Sequence, residues 1–383
     1  MTRWIDDQGG FADLLVALAP EPVVGLDTEF HRERTYHAQL ALLQLVWGSP
    51  DAPEIALIDP TRVDIHDFAN VLQSDTTIVM HSSAQDLEVL ARACDVLPRR
   101  LFDTQIAAGF AGYNTPSLST LVHGVLDVRL PKGDRLADWL RRPLTSDQLD
   151  YAASDVEHLL TLHRWLVDRL TGEGRLEWAN DECAQLLTKA SETRNPNEAW
   201  WKVKEARQLR GKAVGVAQAL AAWRERRAAE IDQPIRFVLP DLALVGIAQR
   251  PPSSQDDLRR VRGLDDRHLR LSVAGEIMDA IHDGLELKKD QVRFPAAGDV
   301  DRELRPAVTL VSAWISQLSR DLHIDTLLLA TRADVEALLR GEEDARLTMG
   351  WRADVLGQDI RRLVEGRAAL AFDGRGNLVL EDR

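Results

Sequence analysis

The period at which apolar residues recur changes once along this chain, and that change bounds the folds open to it. In the first part they come in short runs, Pro22 to Phe30, Leu40 to Trp47 and Glu54 to Ile58, broken by Gly, Ser and Pro as strands of one sheet would be. Ile65 to Gln73 reads as helical, and Thr77 to His81 is a fourth run feeding a helix that bears Leu87, Val89, Leu90 and Ala93. From about Leu118 the spacing is helical. It culminates in one amphipathic segment from Ser146 to Leu170, with Leu149, Ala152, Val156, Leu159, Leu162 and Leu166 on its apolar stripe. Strands followed by helices that cover them predict a mixed α/β domain.

After Gly172 and Gly174 the pattern stays helical, punctuated by Asn195-Pro196-Asn197 and Pro251-Pro252-Ser253-Ser254, and Phe294-Pro295 to Gly298 reads as a linker between two bundles. Trp223, Phe237 to Leu239 and Asp241 return about 91 residues later as Trp314, Leu327 to Leu329 and Asp334, the pattern of a degenerate repeat. A length of 383 residues suits two or three such domains. The longest near-apolar stretch, Leu40 to Trp47, falls far short of the roughly 20 residues that span a membrane, so no membrane partner is expected. Asp6 and Asp7 stand where a secretion signal would be basic and then apolar, which predicts a cytoplasmic protein. Cys94 and Cys183 are too few for a zinc cage or a disulfide framework and read as buried thiols.

The net charge of -14 is unevenly spread. Residues 1–170 hold 14 Lys and Arg against 25 Asp and Glu, a net of -11; residues 188–270 hold 17 against 11, or +6; residues 271–383 hold 15 against 21, or -6. Proteins that grip nucleic acid through phosphates are usually basic overall, so any such grip here is local or metal-assisted. The +6 segment, with Arg224, Arg226 and Arg227 on one helix and Arg259, Arg260 and Arg262 on another, is the candidate. Solvated Arg-rich faces are its plain alternative.

Within the first apolar run, Asp27 and Glu29 are two residues apart, so alternation along a strand sends both carboxylates to one face. Unpaired, they would be costly to bury, and a hard divalent cation resolves the repulsion. An exposed edge strand with both acids solvated is the other reading. Tyr151 and Asp155, four apart on a helix, also share a face. Asp86 falls in the first turn after the fourth strand, where capping the helix is the simpler role.

Taken in order, these residues resemble the DEDDy 3′→5′ exonucleases, and within them the ribonuclease D family. The likeness is carried by Leu26 to Phe30, Arg34-Thr35-Tyr36, Gln39-Leu40 with Gln44-Leu45, His81 through Asp86-Leu87, and Phe102 to Gln105. It continues through Asp138-Trp139, Arg142-Pro143-Leu144, Gln148 and Tyr151 to Val156, and covers about residues 20–170. Leu220 to Arg224, Pro234, Phe237 to Leu239, Pro251 and Leu258 resemble the helical HRDC domain, with a divergent second copy after Asp299. The expected organisation is an RNase H-like α/β exonuclease domain over 1–175, a helical linker over 176–205, an HRDC domain over 206–295 and a second HRDC-like all-α bundle over 299–383.

The resemblance implies that four acids hold two divalent ions, Mg²⁺ or Mn²⁺. Asp27, Glu29 and Asp155 would grip one ion, and Asp27 with a water-mediated Asp86 the other, while Tyr151 orients the attacking water. Phe30, His31 and Gln105 are candidate contacts to terminal nucleotides, Phe30 being equally placed for the core. Lys132 and Arg135 are candidate phosphate contacts, in a Pro-Lys-Gly-Asp-Arg loop where the family often carries Lys followed by Ser or Glu. Trp139 reads as a packing anchor, and His158 and His163 as structural or surface residues. The implied activity is removal of nucleotides from the 3′ end of structured RNA such as tRNA precursors, with 5′-monophosphates released. Single-stranded DNA is a second candidate substrate, and no protein partner is expected. A DNA repair exonuclease and a non-catalytic nucleic-acid-binding adaptor are the competing functions. The helical tail is expected to carry phosphate contacts in its basic part, and residues 299–383 to pack on the nuclease or the first bundle. Truncation near residue 205 should then spare cleavage of short strands.

Overall fold

The computed structural model describes residues 2–131, 133, 137–193, 195–294 and 302–383. Met1–Phe30, Leu40–Ser191 and Asp299–Arg383 cluster as one compact unit, and His31–Gln39 with Glu192–Gly298 as a second.

The first unit is organised by a mixed sheet of six strands: β1 (Thr2–Ile5), β2 (Val23–His31), β3 (Gln39–Ser49), β4 (Ala52–Ile58), β5 (Thr77–Met80) and β6 (Arg100–Asp103), in the order β1-β4-β3-β2-β5-β6. β1 runs parallel to β4, β3 antiparallel to β4, and β2, β5 and β6 run parallel to their neighbours in that trio. The four central strands are the four apolar runs. The two edge strands were not legible in sequence, because TRWI and RLFD mix charged and apolar residues, whereas β5, equally short, is an apolar run.

Alternation along β2 sorts its side chains onto two cores. Val24 and Leu26 pack with Phe11, Leu14, Leu87 and Leu90 on one side of the sheet. Gly25 points to the other, where a Cβ would fall 2.4 Å from Val46 Cγ1 and 3.1 Å from Leu159 Cβ. Only glycine lets the covering helix come that close. Ala152, Val156, Leu159 and Leu160 form the second core there. Asp27 and Glu29, in phase with Gly25, therefore face that layer.

The amphipathic segment expected as one helix from Ser146 to Leu170 is two, Ser146–Glu157 and Leu159–Gly172, separated at His158 (φ -101°, ψ 0°). Its apolar spacing runs across the break, so period alone does not reveal it. The first helix begins with a capping box between Thr145 and Gln148.

The last residues are helical as expected and end in an added hairpin, β7 (Ala368–Phe372) and β8 (Leu378–Asp382). This segment shares a core with the nuclease: Val308, Ile315, Leu329, Trp351 and Leu356 join Leu162 and Leu166. Asp325 N–H donates to the Gly109 carbonyl at 2.9 Å, and its carboxylate accepts from Thr115 Oγ1 at 2.6 Å. Glu182, on the helix Leu176–Ser191, accepts from Arg352 at 2.5 Å, Arg346 at 2.5 Å and Trp351 Nε1 at 3.2 Å. Of the two docking sites expected for this segment, the nuclease is the one observed. Truncation at residue 205 would strip that core, so it is not a clean test of the tail.

In the second unit the helices Lys212–Glu230, Asp241–Gln249 and Leu271–Glu286 enclose Val216, Leu220, Leu244, Ile247 and Ile277. Tyr36 and His37 join it through Tyr36 OH to Glu225 (2.7 Å) and His37 N–H to Asp232 (3.0 Å). One member of the expected basic cluster is corrected here. Arg224 is 1% exposed and donates to the Leu239 carbonyl and to Asp241, so it is a core clasp. Its position on the apolar stripe between Leu220 and Ala228 was the missed signal. Arg226, Arg259, Arg260 and Arg262 are exposed.

Burial pushes the Glu182 carboxyl up, but hydrogen bonds and charges from Arg352 and Arg346 outweigh it and hold its pKa below the usual value. Replacing Glu182 with Ala leaves Arg352, 2% exposed, without its acid, and should cost about 3–5 kcal/mol in denaturant unfolding. Glu182→Leu combined with Arg352→Met should recover most of that loss.

Candidate active site

Three elements bring the acids together. β2 presents Asp27 and Glu29 towards the covering helices, and between them Thr28, buried on the opposite side, donates Oγ1 to Asp86 Oδ1 at 2.5 Å. Asp86 lies in the first turn of the helix Ala84–Cys94, which follows β5. The N-cap of that helix is Ser83, which makes no side-chain cap bond; Asp86 accepts from its own backbone N–H in the first turn, in keeping with the capping role considered for it, as well as from Thr28. The turn that leads into it is fixed by Asp103 at the end of β6. The Asp103 carboxylate accepts from Ser82 N–H (3.1 Å), Ser83 N–H (2.8 Å) and Ser83 Oγ (2.8 Å), while Ser82 adopts φ +60°. Neither Thr28 nor Asp103 stood out as functional in sequence. The only local signal for Asp103 is an acid capping the helix that begins at Thr104.

The helix Ser146–Glu157 supplies the other half. Tyr151 and Asp155 share a face, and the phenol donates a hydrogen bond to the Asp155 carboxylate. Trp139, 7% exposed, packs against the Tyr151 ring at 6.1 Å between centroids, the anchoring role expected of it. Gly133 also lies against that ring, since a Cβ there would fall 2.1 Å from Cε2.

Electrostatics show that these groups face one another. Burial raises the Asp27 carboxyl well above its usual range, and the charges of Asp86, Asp155 and Glu29 add to it. Glu29 rises to about 8 through burial and the charges of Asp155 and Asp86. Asp155 rises to about 7 by burial, against the Tyr151 hydrogen bond, and Asp86 to about 6 by burial, against the Thr28 bond. Burial and the same acids raise the Tyr151 phenol far above its usual value, so it keeps its proton.

The other candidates are more scattered. Phe30 is half-buried near the end of β2; His31 closes that strand, and its Nε2 is buried without a hydrogen-bond partner. Gln105 Nε2 donates to the Pro116 carbonyl at 2.9 Å, so its amide nitrogen is committed to the fold. His81 bonds Thr104 Oγ1 and the same carbonyl, and burial lowers its pKa. Lys132 and Arg135 lie outside the described residues. His163 stacks edge-on against Phe102 and His158 sits 3.9 Å from Glu157, the structural and surface roles expected. Both cysteines are buried thiols pushed up to about 12. Among the described residues, no helix is long and apolar enough to cross a membrane.

Residues 2–171 match the 3′-5′ exonuclease family model, and residues 214–281 match the HRDC domain model. The chain is 33% identical over 375 residues to ribonuclease D of Sphingobium indicum, covering 96% of this chain and 95% of that protein. With ribonuclease D of Jannaschia sp. it is 33% identical over 368 residues, 95% of each. The chain belongs to the ribonuclease D family. Its activity is that of a 3′→5′ exoribonuclease, a hydrolase. The fold agrees: Escherichia coli RNase D, described as an exoribonuclease involved in structured RNA processing, superposes with a TM-score of 0.83 at 30% identity, over 96% of this chain and 99% of that one.

Exonucleases of this kind depend on divalent metal. The donors present here fit such an ion: hard carboxylate oxygens, largely withdrawn from water, with Asp86 and Asp155 raising the pKa of Asp27 and Glu29 and no cationic side chain among the causes of the four shifts. Among the described residues no three acids or histidines already form a finished cage.

Folded-state pKa values above the unfolded ones mean that the protein binds extra protons at these acids when folded, so the acids weaken the metal-free fold as pH rises from about 4.5 towards 8. His81 and His163, whose pKa values burial lowers, give the opposite slope below about 6.5. Comparing wild type with Glu29→Gln isolates the acids. In EDTA the Tm advantage of Glu29→Gln should widen between pH 5 and pH 8, and saturating Mg²⁺ should reverse it at pH 8.

Proposed function

We propose that this protein trims the 3′ ends of structured RNA precursors, tRNA precursors among them, one nucleotide at a time, releasing 5′-monophosphates in the cytoplasm. The observation that supports the reading is the electrostatic convergence of Asp27, Glu29, Asp86 and Asp155 with Tyr151 bonded to Asp155. Asp27, Glu29 and Asp155 would hold one Mg²⁺ or Mn²⁺, and Asp27 with a water-mediated Asp86 a second. Two such ions, when bound, stabilise both the attacking and the leaving oxygen of an in-line displacement at phosphorus. Tyr151, protonated and braced by Trp139, positions the attacking water by hydrogen bonding rather than by taking its proton. Thr28 and Asp103 hold Asp86 at its station. Phe30 and His31 are proposed to meet the terminal nucleotides by stacking and edge contacts, and Gln105 through its amide oxygen. Lys132 and Arg135 are proposed as phosphate contacts.

The deciding assay uses 5′-labelled RNA and DNA of matched sequence with Mg²⁺, Mn²⁺, Ca²⁺ or EDTA. Asp27→Asn and Asp155→Asn should reduce hydrolysis to background without loss of fold, and Ca²⁺ should support binding without turnover. Replacing the last ribonucleotides by deoxynucleotides should slow cleavage, because an RNA-adapted site uses the 2′-OH as donor and acceptor. Equal rates on the two strands would favour a DNA exonuclease, and near-normal turnover by Asp27→Asn would remove the metal assignment.

The exposed Arg226, Arg259, Arg260 and Arg262 are proposed to grip RNA phosphates. Arg259 and Arg260 have only loose partners in Asp256 and Asp257, 3.6 Å away. Replacing all four by Gln should weaken binding of structured RNA and flatten its salt dependence by about 0.7 in log–log slope per lost contact to a single strand. Cleavage of a short oligonucleotide should be unchanged.

A further inference from the structure

Gln44 is a polar side chain that the fold leaves unexplained. It sits mid-strand in β3, opposite Leu57 of β4, between Leu42 and Val46 on its own face. It is 0% exposed, and neither amide atom has a hydrogen-bond partner. Buried amides without partners are uncommon in folded proteins and costly to keep. An apolar residue would serve the core better.

The strand register shows what lies beside it. β2 and β3 are neighbours joined by the few residues between His31 and Gln39, a link too short for the crossover that parallel strands need, so they are antiparallel. A Cβ on Gly25 would press on Val46, which sets those two residues opposite each other on the face covered by the helix Leu159–Gly172. One step of two residues forward along β2 and back along β3 sets Asp27 opposite Gln44 on that face. Directly opposed side chains have Cβ atoms about 4.5–5.5 Å apart, within reach of a glutamine amide.

We propose that Gln44 is a positioning residue for Asp27. In the metal-loaded site its amide N–H donates to the Asp27 carboxylate and turns the carboxylate's free lone pairs towards the divalent ions. The inference rests on the metal role proposed for Asp27. Asp27 otherwise takes a hydrogen bond from the Thr28 backbone, and a carboxylate shared by two ions gains from a second, charge-assisted donor. Partners that orient a metal ligand are commonly worth 10–100-fold in metal affinity.

The test is calorimetric titration of the full-length protein with Mn²⁺, comparing wild type, Gln44→Leu, Gln44→Met and Asp27→Asn. Both Gln44 variants should bind Mn²⁺ about tenfold more weakly, with kcat reduced and KM for RNA unchanged. Their metal-free Tm should equal or exceed that of wild type, since an unpartnered amide is removed. Mn²⁺ affinity within twofold of wild type in the Gln44 variants overturns the proposal, as does a loss matched by a lower metal-free Tm. In wild type labelled with ¹⁵N-glutamine, the Gln44 side-chain amide signal should shift on adding Mg²⁺, and should not do so in Asp27→Asn. A signal unmoved by Mg²⁺ overturns it independently of any substitution. If Asp27→Asn binds Mn²⁺ like wild type, the metal reading itself is at fault. If Asp27→Asn loses binding while the Gln44 variants keep it, only the role of Gln44 fails.

Discussion

Mutual repulsion among Asp27, Glu29, Asp86 and Asp155 is the constraint around which the nuclease unit is arranged. A strand that must bury Val24 and Leu26 on one side presents acids on the other, and alternation alone delivers both outcomes. Gly25 brings the covering helices down onto the sheet. Asp155 and Tyr151 thereby meet the strand acids, and the Thr28 and Asp103 bonds draw Asp86 in from the helix after β5. Each device keeps like charges close, at a site that protons neutralise in the metal-free protein and that suits a divalent cation. That expense in stability is concentrated where the chemistry is proposed to occur.

The fold class was legible because the signals were continuous. The central strands are near-continuous apolar runs, down to the four residues Thr77-Ile-Val-Met80, whereas β1 (TRWI) and β6 (RLFD) mix charged and apolar residues over four positions and show no run. The candidate acids were legible as an ordered set, since Asp27-x-Glu29 and Tyr151-x-x-x-Asp155 have spacings that strand and helix geometry convert directly into shared faces. The supporting residues were not. Asp103 acts through backbone amides of a turn whose φ of +60° at Ser82 no sequence pattern announces. Gln44 shows its position only once β2 and β3 are in register, and Arg224 looked like a surface charge until the core closed around it.

The chain's terminal segment illustrates how pattern can specify elements without specifying their partners. Helices from Arg305 onward were expected as a separate bundle in the manner of a repeat. They pack on the nuclease, one of the two places expected for them: Glu182 clasps Arg352 and Arg346, Gly109 admits Leu328, and the segment shares the nuclease core. Its stability is thus tied to the catalytic unit. The basic charge that could meet RNA stays with exposed arginines of the HRDC unit, which is compatible with an enzyme acidic overall.

The most direct test of the account is crystallographic: crystals of the full-length protein soaked in Mn²⁺, with anomalous difference density measured near the manganese edge. The account predicts two peaks about 4 Å apart, one touched by Asp27, Glu29 and Asp155 and the other by Asp27, with Asp86 reaching it through water. No manganese at these carboxylates, or a manganese site that omits Asp27, would contradict it.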